Sequence, residues 1–129
     1  MELDSQIRDP IDVAQEFAVA TKPQQIAAEL QGLLGQKLVA FTLGDRHPKT
    51  IGRYARGERS PTDTALGRLT DLYTVILILE RGRAERGSWI KQWMLGSNMR
   101  LGGKAPAQVF HDGDAGKVMG AARYFISGR

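Results

Sequence analysis

The chain has 129 residues, 42% of them hydrophobic and 25% charged, a composition typical of a globular protein of one domain or two very small ones. It has no cysteine, which excludes disulfide frameworks, thiolate metal sites and cysteine nucleophiles, and its two histidines, His47 and His111, leave a zinc site or a catalytic triad short of parts. The formal net charge is +4. Residues 36–60, with Lys37, Arg46, Lys49, Arg53, Arg56 and Arg59 against Asp45 and Glu58, account for all of it.

The first twenty residues are acidic, with Glu2, Asp4, Asp9, Asp12 and Glu16 against Arg8. Asp9-Pro10 opens a short amphipathic helix there, with Ile11, Ala14, Phe17 and Ala18 on one side. Thr21-Lys22-Pro23 starts a second helix, in which Ile26, Leu30, Leu33 and Leu34 recur at helical spacing and Gly32 and Gly35 punctuate the end. A short helix from Gln36 to Leu43 leads into a turn, Gly44-Asp45-Arg46-His47. Pro48 fits the first position of the next helix, and Gly57 is a left-handed stop behind it.

Ser60-Pro61-Thr62-Asp63 caps a longer helix. Leu66, Leu69, Tyr73 and Ile76 trace one face, and Leu72, Val75 and Leu79 a neighbouring one. Thr74 to Leu79 is rich in β-branched residues, but no turn residue separates it from the helical pattern, so helix is predicted throughout. A helix apolar almost all round belongs at the centre of a core or in a contact between copies. Gly82 and Gly87 bracket a charged connection, and Ser88 caps a helix carrying Trp89, Ile90, Trp93, Met94 and Leu95. After a loop over residues 99–104, Ala105-Pro106 opens a brief helix. A last helix runs from about Asp114 to Ser127, with Val118, Ala121, Ala122 and Phe125 on one stripe. The expected fold is all-α, with seven or eight short helices.

The concentrated charge coincides with the anatomy of a helix-turn-helix over residues 36–57: an apolar-faced helix, a tight glycine turn and a basic helix. Ile51, Tyr54 and Ala55 form the predicted inward stripe of that second helix, leaving Lys49, Thr50, Arg53 and Arg56 to project outward towards bases. Arginine holds guanine O6 and N7 with two parallel donors, which suits it to that position. Arg46, His47 and Lys37 are placed for phosphate or the edge of the site. The usual spacing puts a small residue four before the turn glycine and a buried aliphatic six after it. Ala40 and Gly44 keep the first interval, but Ile51 lies seven beyond Gly44. Either the turn is one residue longer, or Asp45 is the turn residue and Phe41 fills the small slot.

The C-terminal third reads SWIKQWMLGSNMRLGGKAPAQVFHDGDAGKVMGAARYFISGR. An aromatic-bearing helix is followed by Asn98, the Leu101-Gly102-Gly103 turn, a helix opened by Pro106, the Gly113-Asp114 turn and a terminal helix containing Val118 and Ala122. This order resembles the toxin-binding module of the Xre/MbcA/ParS antitoxin family. With the preceding basic helices and long central helix, the resemblance covers about residues 25–129. It implies binding to a RES-domain toxin that consumes NAD, blockage of that toxin by the C-terminal region, and repression of the antitoxin's own operon. Leu101, Gly102, Gly103, Tyr124, Phe125 and Arg129 are the toxin-contact residues that the resemblance suggests.

Enzymatic readings fail on context. The serines stand in no nucleophile elbow, and Gly102-Gly103-Lys104 lacks phosphate-loop spacing. His111-Asp112-Gly113-Asp114 is too short for a calcium loop. No catalytic residue, metal or cofactor is expected.

The longest near-apolar run, Leu72 to Leu79, is far below the roughly 18–20 residues that span a bilayer, and Met1-Glu2-Leu3-Asp4 lacks the character of a signal peptide. A cytoplasmic protein is therefore expected. The predicted organisation is an acidic extension over 1–20, a helix-turn-helix domain with the central helix over 21–82, and a toxin-binding module over 83–129. Its expected partners are operator DNA, a RES-type toxin and a second copy across the central helix, with no membrane. The alternative is a small phage or bacterial repressor with no toxin, and a third class is a protein-interaction adaptor.

Overall fold

A computed structural model describes residues 8–83 and 87–128. Eight α-helices and one 3-10 turn make up the regular structure of those residues: α1 (Pro10–Ala20), α2 (Pro23–Leu34), α3 (Gln36–Leu43), α4 (Pro48–Ala55), α5 (Asp63–Arg81), α6 (Ser88–Leu95), the 3-10 turn Met99–Leu101, α7 (Pro106–His111) and α8 (Ala115–Ser127). The all-α expectation holds. Glu2, Asp4 and Arg129 lie outside the described residues.

The long helix α5 forms the axis of the molecule. Its N-cap Thr62 accepts a hydrogen bond from the Ala65 amide, and Asp63 in its first turn suits the positive end of the helix. Leu69, Leu72, Tyr73, Thr74, Val75, Ile76, Ile78 and Leu79 are all buried, so the β-branched stretch is helical, as its unbroken pattern predicted. Tertiary burial overrides the weak helix propensity of valine, isoleucine and threonine here. α1, α2 and α8 pack around α5 within one chain. Leu72, Val75, Ile76 and Leu79 have no exposed surface, which removes the apolar face that a contact between copies across this helix would need.

α1 docks through Ala14 and Ala18, with Ile11 partly buried. Phe17 was expected on that inward side, but it lies 60% exposed on the helix flank. Two ion pairs consume part of the acidic charge, Arg8 with Glu16 and Arg123 of α8 with Asp9. One core runs through the fold, from Ala14 of α1 to Ala122 of α8.

α2, α3 and α4 form a tripod on one end, with α4 packed against both α2 and α3. α3 ends at Gly44, whose φ of 76° is the left-handed conformation that glycine adopts without steric penalty. Gly44 to His47 then carry the chain to Pro48, which occupies the first turn of α4. Ala40 is buried and Phe41 is 41% exposed. The small residue that packs inward is therefore Ala40, and Ile51, seven beyond the left-handed Gly44, is buried.

At the other end, α6 packs on α2 and α7, and α7 packs on α3 and α8. Ser88 was expected to cap α6, but it is the first helical residue and the cap is Gly87, which carries no side-chain bond. Residues 99–101, expected as loop, form a 3-10 turn whose first amides are capped by the Asn98 side chain.

Candidate nucleic-acid interface and C-terminal aromatic face

α4 separates its residues sharply by exposure. Thr50, Ile51, Gly52 and Tyr54 are buried against α2 and α3, whereas Lys49 and Arg53, one turn apart, face solvent. Arg46 and His47 are exposed in the turn before α4, and Lys37 is exposed on α3. The His47 amide donates to the Asp45 carboxylate at 2.8 Å, which fixes the turn. Lys37, Arg46, Lys49 and Arg53 make no ion pair among the described residues.

Two members of the predicted set behave differently. Thr50 was placed on the outward side, but it is only 7% exposed. It adjoins Ile51 on the inward arc, and its amide donates to the His47 carbonyl at 2.9 Å in the first turn. Arg56 is exposed at the C-terminal end of α4 and is held by Glu58, Nε to Oε2 at 2.6 Å and Nη2 to Oε1 at 3.2 Å. That hydrogen-bonded pairing, reinforced by the attraction of opposite charges, raises the Arg56 pKa and lowers that of Glu58.

The glycine of α4 has a packing role. A Cβ on Gly52 would meet Gln36 Nε2 at 2.6 Å and Arg56 Nη1 at 3.1 Å. The Gln36 amide therefore lies directly over the α4 backbone, donating to Gln31 Oε1 at 2.8 Å. Nothing in the charge pattern signalled this pair.

The C-terminus of α3 is gripped from two other helices. Arg68 of α5 donates from Nε to the Leu43 carbonyl at 2.7 Å and from Nη2 to those of Thr42 and Phe110 at 3.2 and 3.3 Å. The Thr42 and Leu43 carbonyls are in the last turn of α3 and lack helical partners, and a cation there also complements the negative end of the helix. The same guanidinium lies 5.4 Å from the Phe110 ring centroid. Sequence reasoning missed Arg68; its one signal is a cation set beside Leu69 inside the helix rather than at its C-terminal end, where Arg81 lies.

The residues suggested as toxin contacts fall into three groups. Leu101, a contact residue by the resemblance, is instead buried, because the 3-10 turn tucks its side chain into the core. Gly102 and Gly103 are exposed, with φ of 67° and 84°, which lets the chain double back after that turn. Tyr124 and Phe125 are 40% and 45% exposed on α8. Phe125, expected on the buried stripe of that helix, instead lies between two indoles, 6.0 Å from the Trp89 ring and 6.1 Å from that of Trp93. The Arg100 guanidinium sits 4.1 Å above the Tyr124 ring, and Arg83 sits 4.7 Å above Trp89. Between α6, the 3-10 turn and α8 lies an open groove of about 590 Å³. Leu95 and Met99, 54% and 96% exposed, extend this apolar surface. Nothing in the residue pattern around Met99 signals its exposure.

Among the described residues, no helix is long and apolar enough to cross a membrane, and no group of three or more histidine or acidic side chains is placed to hold a metal ion. No protein-family model, curated protein or solved structure matches this chain.

Proposed function

We propose that this chain is a DNA-binding antitoxin of the Xre/MbcA/ParS type, which represses its own operon and neutralises a RES-type, NAD-consuming toxin. α3 and α4 serve as the helix-turn-helix, with α4 in the major groove. The carrying observation is the separation on α4: Ile51 and Tyr54 are buried while Lys49 and Arg53 stand exposed and form no ion pair among the described residues, as do Arg46 and Lys37, with His47 exposed in the turn before α4. Lys49 and Arg53 are the base-reading pair in this reading, and Lys37 and Arg46 contact phosphate. Arg56 contributes once DNA competes with Glu58 for it. Toxin binding rests on the resemblance of residues 89–129 and is supported by the exposed Tyr124 and Phe125.

The second reading, a repressor without a toxin, is favoured by one observation. Val118 and Ala122 of α8 are fully buried in the common core, so the C-terminal third has a structural role whether or not a toxin exists. Whether the adjacent reading frame encodes a RES-type protein, followed by co-expression with it, separates the two. The antitoxin reading predicts co-purification, restored growth and a preserved NAD pool. Toxicity and NAD depletion that persist despite abundant folded chain leave the repressor reading.

A further inference from the structure

The groove between α6 and α8 has features suited to one kind of occupant. Trp93, Met99, Tyr124 and Phe125 give it aromatic and aliphatic walls beside the polar Gln92 and Asn98, and among the described residues its lining contains Arg100 and no acidic side chain. Lys91 and Lys104, both exposed, lie on the flanking segments. A contiguous apolar surface of this kind on a small protein marks a contact site. The charge around it selects the partner. A second copy docking groove to groove brings Arg100 against Arg100, whereas an acidic partner meets a cation already held over a ring. Desolvated aromatic pockets with an arginine at the edge are where binding energy concentrates.

We infer that the α6–α8 groove is a docking site for an acidic amphipathic helix of a partner protein. The partner's apolar side chains enter between Met99 and Phe125, and one of its carboxylates pairs with Arg100. The Arg100–Tyr124 contact, at 4.1 Å, holds the guanidinium before the partner arrives and lowers the ordering cost of that pairing. This deepens the toxin-binding half of the proposed function and rests on it only for the partner's identity.

The two tryptophans of the chain, Trp89 and Trp93, both lie near Phe125 at this face, so tryptophan emission, excited selectively at the red edge where tyrosine does not absorb, reports on it. The probe is a short helical peptide free of tryptophan, with leucine and phenylalanine at helical spacing and glutamate elsewhere. A lysine-for-glutamate version is the control. The expected result is a saturable emission change with the glutamate peptide, about tenfold weaker with Arg100→Glu and absent with the lysine peptide. Phe125→Ala, which removes the ring between the two indoles, should weaken the glutamate peptide as well. Saturation with the peptide while a RES-type protein fails to co-purify supports the groove and overturns the toxin identity separately. No saturable change, equal response to both peptides, or unchanged affinity of Arg100→Glu overturns the inference. So does an emission change that follows protein concentration without peptide, since the occupant would then be a second copy.

Discussion

The imidazole of His111 lies flat on the ring of Phe41, centroids 4.4 Å apart and planes 5° from parallel, and its Nδ1 donates to the Phe41 carbonyl at 2.6 Å. One residue from the C-terminal third thus both stacks on α3 and caps its end. The Phe41 carbonyl also accepts from the Gly44 amide at 3.0 Å, and Arg68 of α5 satisfies the next two, those of Thr42 and Leu43, which have no helical donor. The turn that leads into α4 starts from this clamp.

Arg68→Met keeps the aliphatic stem and removes the donors to Thr42, Leu43 and Phe110. It should destabilise the fold by about 2–3 kcal/mol, because part-buried carbonyls lose charged partners. His111→Ala should cost about 1 kcal/mol, for one hydrogen bond and a partly exposed stack. Urea unfolding followed by circular dichroism measures both. An Arg68→Met protein as stable as the parent would show that the clamp contributes nothing.

Gly82→Ala tests the junction of α5 and α8. The added Cβ would lie 2.6 Å from Ile126 Cγ2 and 3.1 Å from its Cβ, so the side chain must shift from a fitted position. Overpacking of this kind costs about 1–3 kcal/mol and should lower the melting temperature. Gly67, with nothing near its Cβ position, is the control, and Gly67→Ala should be neutral or stabilising at this exposed position of α5.

Asp71 provides the pH dependence. Burial raises its pKa above the ordinary carboxylate value, with Arg68 opposing the shift. A carboxyl raised on folding binds more protons folded than unfolded, so its contribution to stability falls as pH rises from the unfolded pKa through the folded one. Asp71→Asn should therefore raise the melting temperature near neutral pH and change it little below pH ~4. A melting temperature that drops at neutral pH would mean that the carboxylate has a favourable partner in the folded state.

Phe125→Ser separates the two proposed activities. Ile126 packs on Gly82, so truncating the last helix would perturb the fold as well as the surface, whereas Phe125 is half exposed. The variant should lose neutralisation of the RES-type toxin, read as growth and NAD level on co-expression, while repressing an operon reporter normally. Arg53→Ala should derepress the reporter and still neutralise. Full rescue by folded Phe125→Ser would remove the aromatic face from toxin contact.

Most of the backbone was legible because its signals are local. Pro10, Pro23, Pro48 and Pro106 stand in helix first turns, Gly44 opens the turn after α3, and Gly57 adopts the left-handed conformation behind α4, as their positions in the chain suggested. The long apolar helix was recognised, but whether its faces meet the rest of the chain or a second copy depends on α1 and α8, which periodicity does not position. Thr50 and Leu101 were misassigned for a related reason. Threonine beside Ile51 and leucine beside two glycines look equally plausible exposed or buried until neighbouring helices are placed. The Arg68 and His111 clamps join residues 25 to 70 positions apart, and no sequence window holds them.

DNA recognition by α4 is tested most directly by measuring binding of the parent, Arg53→Ala and Lys37→Ala to a duplex selected from a random pool and to unrelated DNA across a range of salt. The account predicts salt-dependent binding by the parent. Arg53→Ala should lose about 1–3 kcal/mol on the selected duplex and little on unrelated DNA. Lys37→Ala should weaken both equally and reduce the salt slope by about one. Absent binding, or equal sequence-independent losses from both variants, would contradict it.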